Sequence, residues 1–160
     1  MCQRSIKLIN IIQKRSHKNE CKQKHIELAD VQIDVKLKLS ALWVAVMFLY
    51  VYGDILSFFR PGHIEEIIAG KMGPFPVTQV GLLTAAILMA IPSVLVFLSL
   101  ALKPKVNRWT NIILGVLYTM VNISNLIGES WAYYITFGIV EIVLTLLIVW
   151  SAWQWPKQIT

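Results

Sequence analysis

Apolar residues dominate four long stretches of this chain: Leu39–Phe59, Gln79–Leu102, Trp109–Gly128 and Trp131–Trp153. Each reaches about 20 residues, the length a helix needs to cross a hydrocarbon layer of about 30 Å. Backbone N–H and C=O groups find no water in such a layer, so these runs are expected to be helices. Chain breakers fall between them. Arg60-Pro61-Gly62 ends the first run, Lys103-Pro104-Lys105 ends the second, Gly128-Glu129-Ser130 turns between the third and fourth, and Pro156 closes the last. Pro92 lies inside the second run and is expected to kink it. The pattern predicts an all-α protein: a four-transmembrane-helix bundle over residues 39–155, behind a tail of residues 1–38.

The tail differs in kind. Nine of the 15 Lys and Arg residues lie in it, together with both cysteines, Cys2 and Cys21. It reads as a solvated basic run on the cytoplasmic side. Residues 31–39 alternate polar and apolar with period two, but an isolated strand is not stable. An extended approach, or helix continuing out of the first span, is expected there. His17, Cys21 and His25 recur every four residues and would share one helix face. A structural zinc site usually takes four ligands, and only Cys2 remains, so they are read as tail composition and no metal is expected. No secretory signal is evident, since Lys7 and Asn10 interrupt the apolar stretch Ile6–Ile12.

Composition sharpens this picture. Hydrophobic residues make up 56% of the 160 and charged residues 15%, with a mean hydropathy of +0.62. That balance excludes a soluble globular enzyme and a disordered chain. Nucleic acid is not expected as a partner, although the net charge is +6. Positive charge also sets the orientation. Lys18, Lys22, Lys24, Lys36, Lys38, Lys103, Lys105, Arg108 and Lys157 fall on one side, against Arg60 and Lys71 on the other. Basic residues favour the cytoplasmic face, so both termini are expected there. All six tryptophans fall near span ends, as interfacial belts require.

Ionisable groups within spans are candidates for function. Two are present, Asp54 and Glu141, and the third span adds Asn122 and Asn125. At helical spacing they fall on stripes of small and polar residues, the signature of helix contact in lipid. The stripes run Trp43, Met47, Tyr50, Asp54, Ser57; Asn111, Gly115, Tyr118, Asn122, Asn125; and Tyr134, Gly138, Glu141, Thr145, Ile148, Ala152. The short turn makes the third and fourth spans antiparallel neighbours. Register across it pairs Tyr118 with Glu141, Asn122 with Gly138, Asn125 with Tyr134 and Gly115 with Thr145. At a rise of about 1.5 Å per residue, Glu141 lies near midplane and Asp54 in the outer half. The expected cluster is Tyr50, Asp54, Tyr118, Asn122, Asn125, Tyr134 and Glu141. It serves either as structural glue between helices or as a site for a ligand or proton.

Other chemistry is missing from the sequence. No span holds His or Cys, and there is no Gly-rich phosphate loop, HExxH or GxSxG. No catalytic residues and no cofactor are expected. In the loop of residues 60–78, His63 and Glu66 could share a metal on one helical turn. The stronger reading of that segment is a short amphipathic helix with Ile64, Ile67 and Ile68 on its apolar face.

Several segments resemble a family of small bacterial membrane proteins. They are Lys38-Leu39-Ser40-Ala41-Leu42-Trp43, Tyr52-Gly53-Asp54-Ile55-Leu56, Asn107-Arg108-Trp109-Thr110-Asn111-Ile112-Ile113 and Tyr133-Tyr134 with Glu141-Ile142. The family is a domain of unknown function, loosely similar to DoxX-like four-helix proteins. The resemblance covers about residues 36–155 and implies a four-helix membrane bundle, with no catalytic role to carry over. By it, the shared region begins near Lys36 and the tail is an extension.

The sequence therefore reads as an integral membrane protein without enzymatic activity, a structural or accessory subunit or a small-ligand-binding one. Its partners are the bilayer and, as open classes, a lipid, a quinone, a small hydrophobic ligand or another membrane protein. The alternatives are a small transporter or proton-coupled carrier using Glu141 and Asp54, and a quinone-reactive or intramembrane enzyme subunit.

Overall fold

The computed structural model of the protein describes residues 33–72 and 75–155. The tail expectations, including His17, Cys21 and His25, lie outside the described residues. Four long helices form a bundle: α1 (Val35–Ser57), α3 (Gln79–Ala101), α4 (Pro104–Leu126) and α5 (Ala132–Trp153). Between α1 and α3 lie a short helix α2 (His63–Ile68) and a small antiparallel ribbon. In the ribbon β1 (Lys71–Met72) pairs with β2 (Phe75–Pro76), a minor addition to the all-α expectation. The 60–76 segment and the 127–131 turn mark one end of the bundle, called here the loop end. Val35, the 102–103 turn and Trp155 mark the other, the terminal end.

Local chemistry sets the helix boundaries. Asp34 caps α1 by accepting from the Lys36 amide at 2.7 Å. This helix therefore begins four residues before the expected span and continues into what was read as tail. Thr78 caps α3 through the Gly81 amide at 3.0 Å. Pro104 occupies the first turn of α4, where its missing N–H costs nothing. Gly128, at a φ of +83°, reverses the chain between α4 and α5 in a conformation that favours glycine.

The helices bury a mixed face, with Leu39, Trp43, Val46, Leu95 and Ile148 beside many polar groups, and turn an apolar face outward. Buried positions include Ser40, Ser99, Asn107, Asn111, Asn122, Glu141 and Thr145. Ile113, Met120, Leu83, Phe97, Leu146 and Trp150 stand exposed instead. In water such a surface would be an aggregation liability. In lipid it meets its own kind, while the polar groups find partners between helices. Three helices, α1, α3 and α5, are long and apolar enough to cross a membrane, which marks the chain as a membrane protein. The run expected as the third span, Trp109–Gly128, falls on α4, which is not among them. Asparagines at positions 107, 111, 122 and 125, with Lys105 and Arg108, lower its apolar content.

Packing is uneven around the bundle. The most extensive contact joins α4 and α5, and α1 lies against both α5 and α3. Contact between α3 and α4 is slight. The buried residues of α3 are Pro92, Leu95 and Ser99, all in its second half. Its first half, Gln79–Ile91, buries none, so the α3–α4 seam is loose toward the loop end.

Glycine allows the close approach of α4 and α5. A Cβ on Gly115 would lie 2.7 Å from Val149 Cγ2 and 3.5 Å from the Thr145 carbonyl oxygen. Thr119 donates to Thr145 Oγ1 at 2.9 Å across the same interface. The expected partner of Gly138 was Asn122, but the side chain that fills the space over Gly138 is Leu126. Side chains on a helix lean toward its N-terminus, which carries Leu126 of α4 one turn deeper than simple register implies.

Arg60 and Glu129 lock the loop end. The guanidinium pairs with Glu129 Oε1 and sits 5.0 Å from the centre of the Trp131 ring. The same carboxylate oxygen accepts from the amides of Ser130 and Trp131 at 2.8 and 3.1 Å, so it also holds the turn leading into α5. Partial burial pushes the Glu129 carboxyl up, but the Arg60 hydrogen bond, the two amides and the Arg60 charge together hold it below the ordinary carboxylate range. A lowered folded-state value stabilises the protein above the ordinary range. That stability is expected to be lost as pH falls through the lowered value. Thermal unfolding in detergent from pH 7 downward should therefore show an acid loss that is smaller in Glu129→Gln. Identical pH profiles would contradict the assignment.

Candidate functional site

The seven polar residues singled out by spacing all lie in the loop-end half of the bundle. A cavity of about 60 Å³, room for a few water molecules, is lined by six of them: Tyr50, Asp54, Tyr118, Asn125, Tyr134 and Glu141. The seventh, Asn122, does not line it but supports Tyr50, whose hydroxyl donates to Asn122 Oδ1 at 2.7 Å. Asn122 Nδ2 is buried without a partner. All four long helices contribute to the wall. Gly53, Leu88, Met89, Val121, Phe137 and Gly138 supply its apolar part.

Tyr118 departs from expectation. The predicted partner was Glu141, but its hydroxyl donates to the carbonyl of Leu88. The reason lies four residues further along α3. Pro92 has no N–H, so the carbonyl of residue 88 loses its helical donor. An unpaired carbonyl in a dry interior is costly, and Tyr118 satisfies it from the neighbouring helix. This bond ties α4 to α3 where their contact is otherwise slight. Tyr118→Phe is expected to cost about 0.6 kcal/mol, the usual scale for such bonds in membranes. In a Pro92→Ala background the restored N–H should take the carbonyl, and the cost should shrink toward zero. A double-mutant cycle of thermal unfolding in detergent checks this. Equal costs in both backgrounds would contradict it.

The two carboxyls sit differently. Glu141 is 8% exposed, whereas Asp54 is exposed, nearer the loop end. Among the described residues, no protein hydrogen bond reaches the Asp54 or Glu141 carboxyl, the Tyr134 hydroxyl or the Asn125 amide. No Lys, Arg or His lines the cavity. Nor do the described residues hold a group of three His, Cys, Asp or Glu suited to a metal ion. His63 and Glu66 approach to 3.9 Å on α2, with Ile64 and Ile68 exposed beside them.

A second polar group lies at the terminal end; spacing puts Trp43 and Asn111 on inward stripes but does not join them to Asn107 and Ser99. Trp43 Nε1 donates to Asn111 Oδ1 at 2.7 Å. Asn111 Nδ2 donates to Asn107 Oδ1 at 2.6 Å, and Asn107 Nδ2 donates to the Ser99 carbonyl, near the end of α3. All four residues are fully buried. Trp43 is thus no member of an interfacial belt; Trp109, Trp150 and Trp153 do stand exposed. The signal for this network was the four-residue spacing of Asn107 and Asn111, once Pro104 is read as the first residue of the helix.

These features define a class: a largely helical membrane protein that, among the described residues, holds a hydrogen-bonded polar network at one end and a polar-lined cavity toward the other. The chain belongs to a family of unknown function (DUF6326), matched over residues 27–160. The match begins at residue 27, so the shared region reaches further into the tail than the resemblance implied. Comparison with curated proteins found no match, and comparison with solved structures found none.

Proposed function

We propose that this chain is a four-span protein of the bacterial inner membrane that binds a small polar ligand in a cavity open toward the outside. In this reading α4 is the fourth span. It has the same 23-residue length as α1 and α3. It packs along α5, turns Asn107, Asn111 and Asn122 inward and leaves Ile113, Leu117, Met120 and Ile123 outward. The basic residues Lys36, Lys38, Lys103, Lys105 and Arg108 all belong to the terminal end, which is therefore the cytoplasmic side, with both termini. The loop end, with Arg60 and Lys71, faces outward.

The observation that carries the ligand reading is a contrast. At the terminal end Trp43, Asn111, Asn107 and Ser99 hydrogen-bond one another, as structural glue does. In the cavity, Asp54, Asn125, Tyr134 and Glu141 are brought together and left without protein partners. Glue is satisfied internally; polar groups that line a space without bonding one another suit a guest. A second reading, a proton-coupled carrier, draws on the placement of one carboxyl exposed and one buried along the same cavity.

The test is to purify the full chain in mild detergent and identify co-purifying small molecules by mass spectrometry, beside Glu141→Gln and Asp54→Asn. A molecule retained by the parent and depleted in both variants is expected. The same retained molecules in all three proteins would contradict the cavity as the site.

A further inference from the structure

We propose that the cavity takes a small organic ammonium ion, an inference resting on the ligand-binding reading of the same cavity and naming its chemical class. The argument begins with what its wall offers. Glu141 is 8% exposed, unpartnered, and borders the space. Asp54 adds a second carboxyl from another helix. Tyr50 and Tyr118 spend their hydroxyl protons elsewhere, on Asn122 and on the Leu88 carbonyl. Their oxygens can therefore only accept. The wall thus presents acceptors in excess of its free donors, the Tyr134 hydroxyl and the Asn125 amide.

Charge points the same way. No basic side chain lines the cavity, and Arg60, the cation nearest Tyr134, is already paired with Glu129 and stacked on aromatic rings. A carboxylate in a low-dielectric space is stable only beside a counter-charge; without one it keeps its proton. A zinc-like metal is a poor match, because the described residues offer no group of three His, Cys, Asp or Glu to build its shell. An alkylammonium fits better. Its N–H groups satisfy carboxylate and phenol oxygens with charge-assisted bonds. Its carbon portion meets Phe137, Leu88 and Met89, and aromatic faces attract cations. The volume of about 60 Å³ restricts the guest to a small one.

The probe is ethylammonium chloride, added to the purified full chain in detergent at neutral pH and followed by thermal unfolding. Sodium chloride at equal ionic strength and neutral acetamide serve as comparisons. Ethylammonium should raise the unfolding midpoint saturably, and neither comparison should match it. Apparent affinity should fall at least about tenfold in Glu141→Gln, the scale of losing one charged hydrogen bond. Asp54→Asn, at an exposed position, should also weaken binding and serves if the buried variant fails to fold. Glu66→Gln on α2 should leave it unchanged. Equal stabilisation by sodium chloride would overturn the ammonium assignment. Stabilisation by acetamide alone, lost in Glu141→Gln, would overturn it while leaving the ligand cavity standing. No response to any probe, with nothing co-purifying, would overturn both.

Discussion

Asn111→Leu is expected to lower stability more than any single change around the cavity. Asn111 is fully buried and bonds three residues, the third being Ser99, whose hydroxyl donates to Asn111 Oδ1 at 3.4 Å. Its Oδ1 accepts from Trp43 Nε1, and its Nδ2 donates to both Oδ1 and the backbone oxygen of Asn107. Leucine has a similar size but strands the indole N–H of α1 and the Asn107 amide oxygen of α4. Unpaired buried polar groups cost about 1–3 kcal/mol. A loss in that range should appear in thermal or denaturant unfolding in detergent. With Trp43→Phe added, the donor is gone as well, and the excess cost should shrink. A loss below about 0.5 kcal/mol would mean that the network does not hold α1 against α4.

Gly115→Val should be comparably harmful for a steric reason. The Cβ alone would stand 2.7 Å from Val149 Cγ2, with Ile148 Cγ2 and the Thr145 carbonyl oxygen each 3.5 Å away. Val149 is β-branched and has little rotamer freedom on a helix, so it cannot swing aside cheaply. Overpacking of this kind costs about 1–3 kcal/mol. Because α4 and α5 form the tightest pair in the bundle, the helices would separate and the Thr119–Thr145 bond would lengthen. Val149→Ala should recover part of the loss in Gly115→Ala, where only the Cβ needs room. No recovery would place the strain elsewhere.

Reading the chain by spacing captured much of this architecture, for reasons that are local. Polar residues at helical spacing in an apolar run must face a neighbour, so Gly138, Glu141, Thr145, Ile148 and Ala152 were legible as one inward face, and all are buried. The gathering of Tyr50, Asp54, Tyr118, Asn125, Tyr134 and Glu141 around one space follows from the same logic. Partners were less legible. Tyr118 answers a vacancy made by Pro92 on another helix, and which donor reaches a freed carbonyl is decided by tertiary packing. Asn107 precedes the apolar run that begins at Trp109, yet the helix already starts at Pro104, so hydropathy alone leaves it outside. Trp43 lies near a span end, like the tryptophans that do stand exposed. Only the position of Asn111 distinguishes a buried indole there from an interfacial one.

The central claim is a cavity within the bilayer that opens to the outside. Cysteine labelling in intact cells tests it most directly, in a background with Cys2 and Cys21 replaced by serine. Single cysteines at Gly70 and Ser130 report the loop end, one at Lys105 reports the terminal end, and one at Asp54 reports the cavity mouth. A membrane-impermeant thiol reagent added outside should label the first two and Asp54→Cys, and should leave Lys105→Cys unmodified until the membrane is opened. Labelling of Lys105→Cys with protection of Gly70→Cys and Ser130→Cys would reverse the orientation. Labelling of the loop positions with full protection of Asp54→Cys would contradict an outward-open cavity.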